Sequence, residues 1–147
     1  MILISIYPEF ADLIKKGIKK YEFRKVLSKR TRNNLLKEKY MAIYETAPTS
    51  AVTIIFKVGE IFEDRPTSLW SRFAKDSGLK RDYFMYYYKN KGRGLAIEIK
   101  DVIVLNKPLT IEKIRKLYPN FMPPQNFYNL SKEVYPLIFK ELNKHVR

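Results

Sequence analysis

The 147-residue chain carries 29 Lys and Arg against 15 Asp and Glu, a formal charge of +14, and no cysteine. That removes disulfides, thiolate metal sites and cysteine nucleophiles together, and the one histidine, His145, is a poor basis for a catalytic triad or an imidazole metal site. Hydrophobic residues at 46% suffice for a core, no apolar run approaches the ~20 residues of a membrane span, and residues 1–4 are too short for a signal segment, so a cytoplasmic protein without cofactor or metal is expected.

Residues 2–6 are apolar and β-branched, as in a buried strand. Pro8 near the first helical position and Glu9 in the first turn then open a helix over 8–16, with Phe10, Leu13, Ile14 and Ile18 as its apolar stripe. Gly17 ends it in the manner of a C-terminal glycine. The period then changes to two, which puts Lys20, Glu22 and Arg24 on one side of an extended segment and Tyr21 and Phe23 on the other. Lys19 is expected at the mouth of the turn. Residues 26–39 are polar and basic and read as a loop with one helical turn at most.

Strands follow at 40–44 and 51–62, separated by a turn at Ala47-Pro48. A helix starts at Asp64-Arg65-Pro66, buries Leu69, Trp70 and Phe73, and stops at Gly78. A second helix, 80–88, carries five aromatics: Phe84 and Tyr87 or Tyr88 read as core, although such a run also offers stacking platforms for bases. A strand over 95–105, a helix over 110–117 with Thr110 as its N-cap, a proline-rich loop over 119–124 and an amphipathic helix over 131–146 complete the chain. No P-loop or dinucleotide-binding glycine pattern occurs. The pattern predicts an α+β fold of about five strands in one domain, 1–147, with a barrel over about 1–109 and a helical extension over about 110–147.

Charge is unevenly placed. Residues 15–39 hold eleven Lys or Arg against Glu22 and Glu38. Such a field attracts polyanions; a lysine-rich proteome would raise total charge but would not cluster it. The basic run lacks the apolar stripe of a membrane-surface helix, so nucleic acid is the expected partner, RNA ahead of DNA, with no membrane.

Gly17-x-Lys19-x-x-Glu22-x-Arg24, preceded by Ser5-Ile6-Tyr7-Pro8-Glu9-Phe10-Ala11 and Ile14, resembles the opening of the ASCH family. Tyr44-Glu45-Thr46-Ala47-Pro48, Val58-Gly59-Glu60-Ile61 and Pro123-Pro124-Gln125-Asn126-Phe127 match in the expected order. The resemblance implies a small PUA-like β-barrel whose cleft is lined by Lys19, Glu22 and Arg24, and a nucleic-acid or nucleoside ligand. Lys25, Lys29, Arg30 and Arg32 would hold phosphates, and Tyr44 and Pro48 would wall the cleft. Some enzymes similar in this motif place a threonine where Glu22 stands, and their lysine activates that hydroxyl for amide cleavage on a modified nucleoside; here that nucleophile is absent. The expectation is therefore a nucleic-acid-binding module. The alternative is an enzyme, a ribonuclease or amidohydrolase, working through Lys19 and Glu22.

Overall fold

The computed structural model describes residues 1–25 and 28–146. Six strands form one mixed sheet in the order β2-β5-β4-β3-β1-β6. These are β1 (Ile2–Ile6), β2 (Tyr21–Lys25), β3 (Tyr40–Glu45), β4 (Ala51–Asp64), β5 (Gly94–Thr110) and β6 (Phe127–Asn129). Only β1 and β3 run parallel; the other neighbours are antiparallel. Register shifts between β4 and both its neighbours mark bulges, which bend a strand and raise its twist. The sheet curls into a half-barrel, so the α+β expectation holds.

Strand alternation divides the core between the two faces. Ile2, Ile4, Met41, Ile43, Ile54 and Phe56 face one way, beneath Ala11 and Ile14 of α1 (Pro8–Lys15) and Leu35 of α2 (Lys29–Lys37). Leu3, Ala42, Tyr44, Val52 and Ile55 face the other, beneath α5 (Ile111–Leu117) and α6 (Pro136–Asn143). A third cluster packs Phe23 of β2 and Ala96 of β5 against Leu69 and Phe73 of α3 (Pro66–Phe73) and Phe84 of α4 (Arg81–Tyr87). Each fully buried Leu, Ile or Phe contributes ~1.5–3 kcal/mol. Together they make the sheet a rigid support for what lies at the β1–β2 end.

Four expectations need correction. The stretch read as a loop holds α2, nine residues long, whose first turn is capped by Ser28 Oγ accepting from the Thr31 amide; Val26 and Leu27 lie outside the described residues. A sixth strand, β6, adds to the free edge of β1 with Ile4 opposite Phe127. The closing helix begins at Pro136, five residues later than expected. Ile18, assigned to the apolar stripe of α1, is half exposed, because the helix has already ended. Among the described residues no helix is long and apolar enough to cross a membrane.

Candidate functional site: a cleft lined by Lys19, Glu22 and Arg24

The turn after α1 builds the site. Gly17 adopts φ +74, a left-handed conformation that glycine takes without steric cost. The amides of Ile18 and Lys19 both donate to the Leu13 carbonyl. This closes the turn so tightly that the two-residue alternation starts only at Tyr21. Lys20 is exposed and Lys19 points inward, 2% exposed. The expectation that Lys19 stands at the mouth is thus corrected: it forms the floor.

A buried ammonium must be hydrogen-bonded. Lys19 Nζ donates to the Ser77 carbonyl at 2.8 Å and lies 3.9 Å from Glu22 Oε1. The rings of Phe10 and Phe23 flank it at 5.9 and 5.8 Å, within range of a cation–π attraction. Burial holds its pKa below the ordinary lysine value; Glu22 opposes that shift and Arg24 adds to it. Ser77 is itself fixed, its hydroxyl donating to the Ala74 carbonyl and accepting from the Leu79 amide.

Glu22 and Arg24 come from β2, held in register opposite Ile97 and Leu95 of β5. Glu22 Oε1 accepts from the Phe23 amide at 3.0 Å. Glu22 Oε2 lies 3.8 Å from Arg24 Nη2, which donates to the Ser5 carbonyl at 2.8 Å. Oε2 is therefore the carboxylate oxygen without a hydrogen bond among the described residues. Phe127 of β6 lies against the guanidinium, 5.7 Å from ring centroid to Cζ. Tyr88 anchors the strand from behind, its hydroxyl donating to the Arg24 carbonyl at 2.7 Å.

These three side chains line one cleft of about 400 Å³. Its walls are aromatic: Tyr7 and Phe10 on the α1 side, Tyr83 and Tyr87 on α4. Burial raises the pKa of both α4 phenols, so they stay protonated at neutral pH. The Tyr83–Tyr88 run thus splits into two stripes of i, i+4 pairs: Phe84 and Tyr88 enter the core, while Tyr83 and Tyr87 face the cleft. That spacing was the sequence signal for the two wall residues. Ser77 had none, because its carbonyl reaches the site across 58 residues of chain.

The remaining candidates divide. Lys25 leaves the end of β2 with its ammonium 4.8 Å from the Tyr87 ring centroid. Lys29 and Arg30 are exposed on the first turn of α2. Arg32 is paired with Glu63 at 2.6 Å. Tyr44 is 4% exposed in the core of the opposite face and Pro48 sits in an exposed turn; neither lines the cleft, and Thr46 does. Among the described residues no three His, Asp or Glu side chains gather as metal ligands.

The chain is similar to known proteins over most of its length. The ASCH domain model matches residues 4–121. An ASCH domain-containing ribonuclease of Zymomonas mobilis is 28% identical over 136 residues, covering 89% of this chain and 84% of the relative. The crystal structure of ASCH from Zymomonas mobilis superposes with a TM-score of 0.77 at 27% identity, covering 90% of this chain and 88% of that one. The N-terminal domain of Staphylothermus marinus McrB, 11% identical, covers 95% of this chain and 92% of its own at a TM-score of 0.59 and shares the fold alone. The chain belongs to the ASCH domain family.

Proposed function

We propose that this chain is a ribonuclease that cleaves single-stranded RNA in the Lys19–Glu22–Arg24 cleft. The observation that carries the reading is the convergence of one carboxylate and two cations, all largely buried, on a hollow with aromatic walls. The resemblance to a ribonuclease supports it.

The chemistry that fits these groups is transfer within the RNA strand. Glu22 Oε2 takes the proton of a ribose 2′-hydroxyl, whose oxygen attacks the adjacent phosphorus. The bond from phosphorus to the 5′-oxygen breaks, leaving a 2′,3′-cyclic phosphate and a 5′-hydroxyl. Arg24 supplies planar donors for the non-bridging oxygens. Lys19 offsets the developing negative charge and, with its lowered pKa, gives a proton to the departing oxygen. Tyr83 and Tyr87 hold bases by stacking, which contributes ~1–3 kcal/mol per base.

A labelled single-stranded RNA incubated with the protein should yield fragments ending in cyclic phosphate. Glu22→Gln should slow the reaction at least ~100-fold, and a 2′-deoxy sugar at the cut position should block it. Equal cleavage by wild type and Glu22→Gln, or none by either, rejects the reading. The second reading, a module that holds a nucleotide without turnover, is favoured by the aromatic walls and the exposed cations of α2. It predicts RNA bound by both proteins and cut by neither.

A further inference from the structure

Beside the cleft lies a second hollow of about 540 Å³, lined by Arg24, Lys25, Ser28, Thr31, Tyr87, Gln125, Asn126 and Phe127. Both hollows fall within the ~300–1,000 Å³ range of small-ligand sites. They share a wall: Arg24, Tyr87 and Gln125 line both. Their linings differ in kind. The cleft is aromatic and holds the carboxylate. The second hollow has two cations, two amides and three hydroxyl side chains, and no acidic residue.

From this we infer that the site takes a dinucleotide step: one nucleotide in the cleft, its neighbour in the second hollow, and the phosphate between them at Arg24. The inference rests on the ribonuclease reading and adds which phosphate is cut and how small a substrate can be. A ligand filling both hollows must cross the Arg24–Tyr87–Gln125 ridge. The Arg24 guanidinium is held there by the Ser5 carbonyl and by the face of Phe127. Glu22 Oε2, 3.8 Å from Arg24 Nη2, then lies beside that phosphate. Lys25, packed over the Tyr87 ring, adds a second cation on the far side of the ridge. Asn126 and Gln125 present amides that donate to and accept from a base edge or a ribose. A mononucleotide occupies the aromatic cleft alone and leaves the second hollow to water.

The test uses two ligands that cannot be cleaved, a 2′-O-methyl nucleoside 3′-monophosphate and the corresponding 2′-O-methyl dinucleoside monophosphate, for each of the four bases. The dinucleotide carries less negative charge, so tighter binding cannot be assigned to charge. Titration calorimetry should find it bound about tenfold more tightly than the mononucleotide for at least one base. The double variant Lys25→Ala/Asn126→Ala should lose that advantage, hold the mononucleotide within about twofold of wild type, and melt at an unchanged temperature. Equal affinity for the two ligands, or a variant that loses both alike, overturns the two-hollow assignment and leaves the ribonuclease reading standing. Failure of both ligands to bind overturns it too, and the cleavage assay then decides the ribonuclease reading separately.

Discussion

Lys19 Nζ lies 2.8 Å from the Ser77 carbonyl and 3.9 Å from Glu22 Oε1, so the nearest partner of this buried ammonium is a backbone oxygen far along the chain. The carboxylate is within Coulombic reach without being tied up by a direct hydrogen bond to the lysine. Both groups are thereby poised: the ammonium is satisfied by a neutral acceptor, and Glu22 keeps one oxygen for a substrate. Lys19→Met should separate the two roles of this residue. Removing one partner of a buried ion pair is costly where it strands the other charge, but here Glu22 keeps Arg24 as a counter-charge, and the lowered pKa of Lys19 marks its ammonium as costly to bury. Urea unfolding should show stability equal to wild type or up to ~2 kcal/mol higher, while RNA cleavage falls ~100-fold or more. A variant that unfolds instead would make Lys19 a structural group.

The lowered pKa of Lys19 fixes the sign of a pH effect. In the unfolded chain the lysine titrates near 10.5; in the fold, burial moves it lower. Between the two values the unfolded state binds more protons, so stability rises with pH through that window. Below the folded value both states are charged and the cost of burying the ammonium is fully present. Unfolding measured from neutral pH to about 10 should therefore show the gap between Lys19→Met and wild type narrowing as pH rises. A gap that is constant or widens contradicts the assigned direction.

How much of this was legible in the sequence depended on whether a residue's neighbours in space were also its neighbours in the chain. β1 was readable because Ile2, Leu3 and Ile4 are apolar and β-branched or aliphatic together, and α1 because Pro8 and Gly17 bracket it. The half of the site on β2, Glu22 and Arg24, followed from strand alternation. The motif identifies Lys19 but not its depth, because the turn through Leu13 breaks the alternation before Tyr21. α2 buries only Leu35, and a single buried leucine makes no periodic stripe to read. β6 is too short, at three residues, to carry a period; the open edge of β1 makes them a strand. Tyr44 belongs to a string that matches the family, yet as the neighbour of Ile43 in β3 it faces the opposite side of the sheet.

Gly94 opens β5 directly beneath the Tyr88 ring, where an added Cβ would stand 2.5–2.6 Å from Cε1, Cζ and Oη. The Tyr88 hydroxyl holds the Arg24 carbonyl, so this contact transmits to the site. Gly94→Ala should force the ring aside, costing ~1–3 kcal/mol in stability and weakening RNA binding through a displaced Arg24. Tyr88→Phe keeps the packing and removes the donor. It should cost ~1–3 kcal/mol for the buried acceptors left unpaired with the ring still seated. Thermal melts and RNA titrations on both variants check the pair: a Gly94→Ala protein as stable as wild type would mean that the ring yields freely.

The exposed cations beside the site make a prediction that does not depend on catalysis. Lys25, Lys29 and Arg30 are exposed, whereas Arg32 is paired with Glu63. Neutralising a phosphate of single-stranded RNA releases bound counterions, so log K falls with log salt at a slope of about −0.7 per contact. Removing one contacting cation should flatten that slope by about 0.7 and weaken binding to all sequences alike. Lys25→Ala, Lys29→Ala and Arg30→Ala are each expected to do so in a filter-binding series at increasing salt. Arg32→Ala should leave the slope unchanged, since its charge already meets a carboxylate; its effect should be confined to stability, at most ~1 kcal/mol for a pair this near the surface. If Arg32→Ala alone flattened the slope, the phosphate path would run along the Glu63 side of α2, away from the ridge formed by Arg24 and Tyr87.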